Sequence, residues 1–421
     1  MNKDLLKKYP RNFRRGIEIV EKGNTERGIK RIEKSIESGF KPGIVFLDLL
    51  KHSSGVKEAV ELFQSDYEAD FVKSTLDIGI KYYLGEGRIQ SYTESVRFFI
   101  ESARAGGSEA CDYIGSMREK GNGLPADMAK AFEWYERGAE RGDKVAKYNY
   151  GRLLYSGEGG YKDANEAVDY WYASAKEGYL PAVYKVGEIF ELGLTVPVRF
   201  EKAYEWYLRA ANEGYEPAYQ KVGLFLYDGK GVEKNMEQSL EWLNKIEGDV
   251  SADVALKMGK IYLLGLGMEK NLEKARTYLE QAVHADYSEA IFLMGKLKEE
   301  TTREDFLDLY QKAADRGFSE AQEALAAYYL KESELHGIEM LKKAALNGSA
   351  DAMMLMAKHF ETGEGVEKNI KTAVDYYRKA AEKGNLEAQY QYASICLAGE
   401  WIERDKYSAG DYFKKAAEAG H

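Results

Sequence analysis

Histidine and cysteine are the side chains best suited to hold a metal, or to act as base and nucleophile near neutral pH. This chain of 421 residues carries five of the first and two of the second. His52, His284, His336, His359 and His421 share no ligand spacing with one another, nor with Cys111 and Cys396. Their order therefore spells no metal site and no Cys–His or Ser–His–Asp arrangement. Asp and Glu number 70, too many for one acid–base pair to stand out. A phosphate cradle is the remaining possibility, because Gly157-Glu158-Gly159 and its siblings offer backbone N–H groups. Such cradles follow a strand and continue into Gly-Lys-Ser/Thr, and neither feature is present here. The expectation is a non-catalytic protein without cofactor or metal; a hydrolase is the remote alternative.

What recurs in the sequence is spacing. A small residue returns every 36 positions at Ala110, Ala146, Ala182 and Ala218, continues in phase at Val254 and Ala290, and resumes at Ala321, Ala352 and Ala388. Five positions after each comes glycine in Gly115, Gly151, Gly187, Gly223, Gly259 and Gly295, then alanine in Ala326, Ala357 and Ala393. Ser74 with Gly79 opens an earlier copy, and Gly43 and Asn12 mark two weaker ones. The interval shortens to 31 in the copies that start at Asn12, Gly43, Ala290 and Ala321, with the loss always between the two halves. A fixed packing unit joined by variable loops is the signature of stacked helical hairpins.

The copy Ala146 to Leu180 shows the unit. Ala146, Tyr150, Leu153 and Leu154 follow helical periodicity, and Gly157, Gly159 and Gly160 end that helix. Asp163, with Glu166 three residues on, forms a capping-box signature for a second helix through Ala167, Tyr170, Trp171, Ser174 and Ala175. Gly178 stops it, as do Gly106, Gly142, Gly214, Gly317, Gly348, Gly384 and Gly420 in other copies. Asp127, Asn235, Asn271, Asn369 and Asp405 recur as caps. A glycine inside a helix costs about 1 kcal/mol relative to alanine, so six in phase predict a close approach of the second helix to the first.

These positions resemble the Sel1-like repeat, a relative of the tetratricopeptide repeat. In the copy Ala352 to Gly384 the match includes Gly363-Glu364-Gly365-Val366, Asn369, Ala373, Tyr376-Tyr377 and Ala380-Ala381. The resemblance covers residues 74–421 as ten repeats; residues 1–73 share little of the consensus and form divergent helical repeats or a cap. Arg118 and Lys298 depart from an apolar position, and the copies from Ala290 and Ala321 lack the Gly-x-Gly loop. The resemblance implies an all-α fold, a right-handed α-solenoid of about ten to twelve antiparallel helix-turn-helix repeats. It also implies a non-catalytic adaptor or scaffold that holds a partner protein or peptide on its concave face.

Composition narrows the partner and the setting. Net charge is −10, which argues against a general nucleic-acid binder, although residues 1–41 hold twelve Lys or Arg against six Asp or Glu. Such a basic segment is the solvated face of a capping helix pair, or else a contact for an acidic partner, a membrane surface or nucleic acid. No apolar run resembles a signal peptide or reaches the length of a membrane span. A cytoplasmic, monomeric protein is the expectation, with delivery into another cell by a dedicated secretion system left open. Cys111 and Cys396 lie eight repeats apart, which fits a reducing compartment.

On a helical wheel that starts at the alanine of each first helix, offsets 4, 7 and 8 point to the core, and offsets 2, 6 and 9 point to the opposite side. Offset 2 holds Tyr148, Tyr184, Gln220 and Phe292 among others, and offset 6 holds Arg152, Lys260 and Lys296. Aromatic anchors beside cations suit a peptide with apolar and acidic side chains. Tyr148, Arg152, Tyr184, Gln220, Lys260, Phe292 and Lys296 are the expected centre of that site. Two alternatives stand beside it: the offset-2 rings pack between neighbouring first helices and bind nothing, or the groove takes a glycan, a cell-wall fragment or nucleic acid.

Overall fold

The computed structural model describes residues 8–64, 70–248, 250–330 and 334–418. Among them are 24 helices and no strand. Consecutive helices pair as antiparallel hairpins, as Lys144–Ser156 does with Ala164–Lys176, and within each compact unit such hairpins pack against their neighbours. By internal contacts the chain falls into two compact units, Met1–Val222 with Lys230–Val232, and Gly223–Gly229 with Glu233–His421. Residue 73 lies inside the first of them. No described helix is long and apolar enough to cross a membrane.

In the hairpin Lys144–Ser156 with Ala164–Lys176, the first helix ends at Gly157, which takes the left-handed conformation (φ 81°) and donates its N–H to the Leu153 carbonyl at 2.8 Å. An L-residue is disfavoured there by its Cβ, so glycine is the natural stop. Gly159 is also left-handed, and a Cβ on it would overlap the Met128 carbonyl at the second helix of the preceding repeat. The Gly-x-Gly loop is thus a turn plus a seat against a neighbour. Of the helix stops, Gly106, Gly142, Gly178, Gly214, Gly317, Gly348 and Gly384 all have positive φ; Gly420 lies outside the described residues, as does His421.

Asp163 caps its helix by accepting from the N–H groups of Asn165 and Glu166, but the reciprocal half of the expected capping box does not form. The Asp163 N–H donates to the Leu154 carbonyl at 3.0 Å, and the Glu166 carboxylate accepts the Tyr161 phenol instead. The same hairpin-closing bond recurs from Ser91 to Tyr82, Asp127 to Arg118, Asn235 to Leu226, Asn271 to Tyr262, Asn369 to Phe360 and Asp405 to Cys396, at 2.8–3.0 Å. Because the acceptor is a backbone carbonyl, Arg118 serves at a position where other copies have apolar side chains. Where the loop is shortened, between Ser288–Thr301 and Phe306–Asp315, the left-handed places are taken by Arg303 and Asp305.

The mid-helix glycines mark where the hairpin closes. A Cβ added to Gly115 would lie 2.7 Å from the Tyr135 ring, at Gly187 2.6 Å from Tyr207, and at Gly295 2.7 Å from Tyr310. At Gly151 the neighbour is the Trp171 indole nitrogen at 2.9 Å, and at Gly223 and Gly259 it is Leu243 at 2.6 Å and Leu279 at 2.8 Å. Each of these large second-helix side chains is buried. The tyrosines then reach past the glycine with the phenol: Tyr135 donates to Glu119 at 2.9 Å, Tyr207 to Glu191 at 2.7 Å and Tyr310 to Glu299 at 2.5 Å; in the repeat where Ala357 replaces the glycine, Tyr377 donates to Glu361 at 2.6 Å. Every acceptor is nine residues into its repeat. A buried ring with a satisfied hydroxyl at the rim explains much of the tyrosine content.

In residues 8–64 an aromatic cluster of Tyr9, Phe13, Phe46 and Phe63 fills the core. The helix Gly43–His52 carries Asp48 at the phase of the contact glycine. This carboxylate is 5% exposed and is met by the Tyr82 phenol at 2.7 Å and by Arg88, whose Nη2 and Nε lie at 2.7 and 3.3 Å. His52 Nδ1 sits 2.9 Å from the Asp48 carbonyl oxygen. Tyr82 and Arg88 belong to the first consensus repeat, so the cluster clamps it to the divergent segment.

Two stability outcomes follow. Gly187→Ala should cost about 1–3 kcal/mol in urea unfolding, because the Tyr207 ring has no room to retreat. Gly410→Ala, where nothing lies within 4 Å, should instead be neutral or stabilising by up to about 1 kcal/mol. Arg88→Ala should cost about 3–5 kcal/mol by leaving Asp48 buried without its counter-ion, and Asp48→Asn in the same chain should recover part of it. Equal effects of the two glycine changes, or an Arg88→Ala chain as stable as the parent, would contradict these assignments.

Candidate functional site

The first helices of successive repeats lie side by side within each unit, Glu109–Lys120 beside Lys144–Ser156 and Ala252–Leu264 beside Ser288–Thr301. The side chains that they turn away from the second helices form a wall. In the first unit this wall carries Tyr148, Arg152, Tyr184 and Gln220, and in the second Lys260, Phe292 and Lys296.

Tyr148 and Tyr184 are half-buried. The Tyr148 ring meets Tyr179 edge-on at 5.4 Å, and the Tyr184 ring meets Tyr207 at 5.0 Å and Tyr215 at 5.6 Å. Tyr179 and Tyr215 stand three residues before the next repeat start and were not among the expected site residues; the signal for them is the aromatic that follows a stop glycine in Gly178-Tyr179 and Gly214-Tyr215. The same pairing in the second unit sets Phe318 against Phe292 at 5.4 Å. Offset-2 rings therefore pack onto the ring that introduces the next repeat.

Burial separates the members of the expected site. Phe292 is 5% exposed, enclosed by Tyr310, Phe318 and the Lys296 ammonium 5.1 Å above its ring. Periodicity places Phe292 on the ligand-facing side, but the aromatics on both sides enclose it, and Lys296 is the exposed member. The expected cations are also largely engaged. Arg152 Nη2 lies 2.6 Å from Glu119 in the preceding repeat, and Lys260 Nζ lies 2.5 Å from Glu289. Glu289 holds the Lys260 ammonium above its ordinary pKa, although burial alone would lower it. Gln220 is half-buried and has no hydrogen-bond partner among the described residues.

The wall of the first unit also holds carboxylates. Asp112, at offset 2, accepts from Asn149 Nδ2 at 2.7 Å, and burial pushes its pKa up to about 6. Glu188, at offset 6, pairs with Lys185 at 2.9 Å and acts electrostatically on Tyr148, Tyr184 and Tyr215. Burial raises the pKa of Tyr148, Tyr179, Tyr184 and Tyr215, so all four are neutral hydrogen-bonding rings at physiological pH. No group of three or more His, Cys, Asp or Glu among the described residues could hold a metal. The arrangement offers apolar ring surface, phenol hydroxyls and a half-buried acid, which are tools of binding.

Ionised Asp112 opposes folding, because its folded pKa lies above the ordinary 3.8. Its penalty is absent below about pH 4 and complete above about pH 6, so it grows as pH rises through that window. Asp112→Asn should gain stability relative to the parent across that interval, on the order of 1 kcal/mol, as read by urea unfolding at each pH. A difference independent of pH would contradict the assignment.

The Sel1 repeat model matches residues 73–107, 108–143, 144–179, 180–215, 217–246, 252–287, 307–318, 319–349, 350–385 and 386–421. The short match at 307–318 is the second half of the copy that lost its Gly-x-Gly loop. No curated protein gives a significant match. Among solved structures, the chain is similar to a protective antigen of uropathogenic Escherichia coli strains with an SLR fold, at 25% identity over 92% of this chain and 86% of that one, with a TM-score of 0.57. A Sel1 repeat protein from Oxalobacter formigenes is 24% identical over 57% of this chain and 99% of its own, with a TM-score of 0.47. Folds of this kind are generally scaffolds for protein interaction. Ten in-phase matches from residue 73 to residue 421 make this chain a member of the Sel1 repeat family.

Proposed function

We propose that the protein is a non-catalytic adaptor or scaffold that holds an extended segment of a partner protein on the first-helix wall. The observation that carries this reading is the row of half-buried tyrosines in the first unit, in which Tyr148 meets Tyr179 edge to face and Tyr184 meets Tyr215 at a tilt. Rigid rings with a polar tip supply contact area at small entropic cost and are favoured at binding hot spots. Tyr148 and Tyr184 are the anchors, and Gln220 offers an unpaired amide beside them.

The self-pairing of Arg152 and Lys260 changes the expected ligand. Their charges are already met by Glu119 and Glu289, so a partner needs no acidic residue for them and gains chiefly from apolar side chains and backbone hydrogen bonds. In this reading Phe292 supports the wall from within and Lys296 marks its edge. The partner is a protein or peptide, the scaffold acts as a monomer without cofactor, and its setting is a reducing, cytoplasmic compartment. The free and buried Cys111 and Cys396 support that setting.

Affinity purification from the native organism identifies the partner, and titration of that purified partner then measures the site. Tyr148→Ala with Tyr184→Ala should weaken binding at least about tenfold while the helical circular dichroism stays unchanged. Undiminished affinity in the double variant would reject the tyrosine row as the site.

A further inference from the structure

At Glu119 and Glu191 the carboxylate nine residues into a repeat is met by a cation from the next repeat, whereas Glu299 has the Tyr310 phenol and no ion pair among the described residues. Glu119 receives Arg152, which stands at offset 6 of its own repeat, at 2.6 Å. Glu191 receives Lys221 from offset 3 and Lys230 from offset 12, at 2.8 and 3.2 Å. In both cases the second-helix tyrosine holds the carboxylate from the other side. The geometry is thus a prepared seat for a cationic head group, filled by the chain itself.

In the repeats that start at Ala352 and Ala388 the seat is present and the cation is missing. Glu361 accepts the Tyr377 phenol at 2.6 Å and has no ion-pair partner among the described residues. Offset 6 is Ser394, whose hydroxyl turns back to the Tyr390 carbonyl at 2.9 Å, and offset 3 is Gln391, which donates to Glu387 at 2.8 Å. Offset 12, where Lys230 stands in the earlier copy, is Glu400, so the sign of the charge is reversed. A cavity of about 180 Å³ opens in the vacated space, lined by Glu361, Tyr377, Ser394, Ile395, Glu400 and Trp401. Trp401 is 39% exposed, so its ring is open to a visitor.

We propose that this cavity binds an arginine side chain of a partner protein. The guanidinium takes the place that Arg152 occupies in the earlier repeat pair and donates to Glu361 and Glu400. Its flat face rests on Trp401, and its methylene stem lies along Ile395. Arginine suits the seat better than lysine because its planar fork serves two carboxylates while stacking on an aromatic ring. The site lies wholly in the second unit and stands whether or not Tyr148 and Tyr184 hold a partner.

The test is titration of the full chain with acetyl-Gly-Arg-Gly-amide at low salt, followed through the Trp401 indole resonance, which Trp401→Phe assigns. A saturable shift is expected, absent with the matching norleucine peptide. Glu361→Gln, which preserves shape, should weaken binding about tenfold or more. Ser394→Arg should abolish it by filling the seat from within, and its thermal melting should not fall below that of the parent. No saturable shift in the parent, an equal response to the norleucine peptide, or unchanged binding in the folded Ser394→Arg chain would each overturn the proposal. Tyr148→Ala with Tyr184→Ala should leave this response intact, which separates it from failure of the first site.

Discussion

The close approach of paired helices at one small residue is the constraint on which the rest depends. Where glycine stands five residues into the repeat, the facing helix supplies Tyr135, Trp171, Tyr207, Leu243, Leu279 or Tyr310 at van der Waals distance. The roughly 1 kcal/mol cost of a helical glycine is offset by burial of a large side chain, worth about 1.5–3 kcal/mol. Once the ring is seated, the phenol of a tyrosine emerges at the rim, where a glutamate four residues beyond the glycine accepts it. That glutamate is the first link of the inter-repeat ion pairs. A core packing rule therefore sets the electrostatics of the first-helix wall.

Repetition made the fold legible from sequence. A single Gly-x-Gly or Asp cap is weak evidence, but the same signals in phase at Asp127, Asp163, Asn235, Asn271 and Asn369 define two helices per unit, and each of these caps accepts backbone N–H groups as its residue type requires. What periodicity could not show is which residues meet across repeats. The wheel placed Arg152 and Glu119 on one side, yet their distance depends on how far one repeat is displaced from the next. The same holds for Phe292, whose enclosure depends on Phe318, the ring just before the next copy. Asp48 was invisible for a different reason: its partners Tyr82 and Arg88 come from a repeat with which its own segment shares little consensus.

The wall that results is less charged than its composition suggests. Arg152 with Glu119, Lys185 with Glu188 and Lys260 with Glu289 answer much of its charge from within. Half-exposed ion pairs of this kind contribute little to stability, about 0–1 kcal/mol each, but they withdraw charge from any visitor. What remains for recognition are the unpaired features: the tyrosine row of the first unit and, in the second, a carboxylate seat that the chain does not fill.

Radical footprinting of the protein bound to its purified natural partner is the most direct measurement of whether the first-helix wall is where a partner lies. The account predicts that Tyr148 and Tyr184 lose reactivity on binding while Trp134 and Trp206, which carry Arg137 and Arg209 on the second helices, keep theirs. Protection of the two tryptophans with the tyrosines unchanged would contradict it.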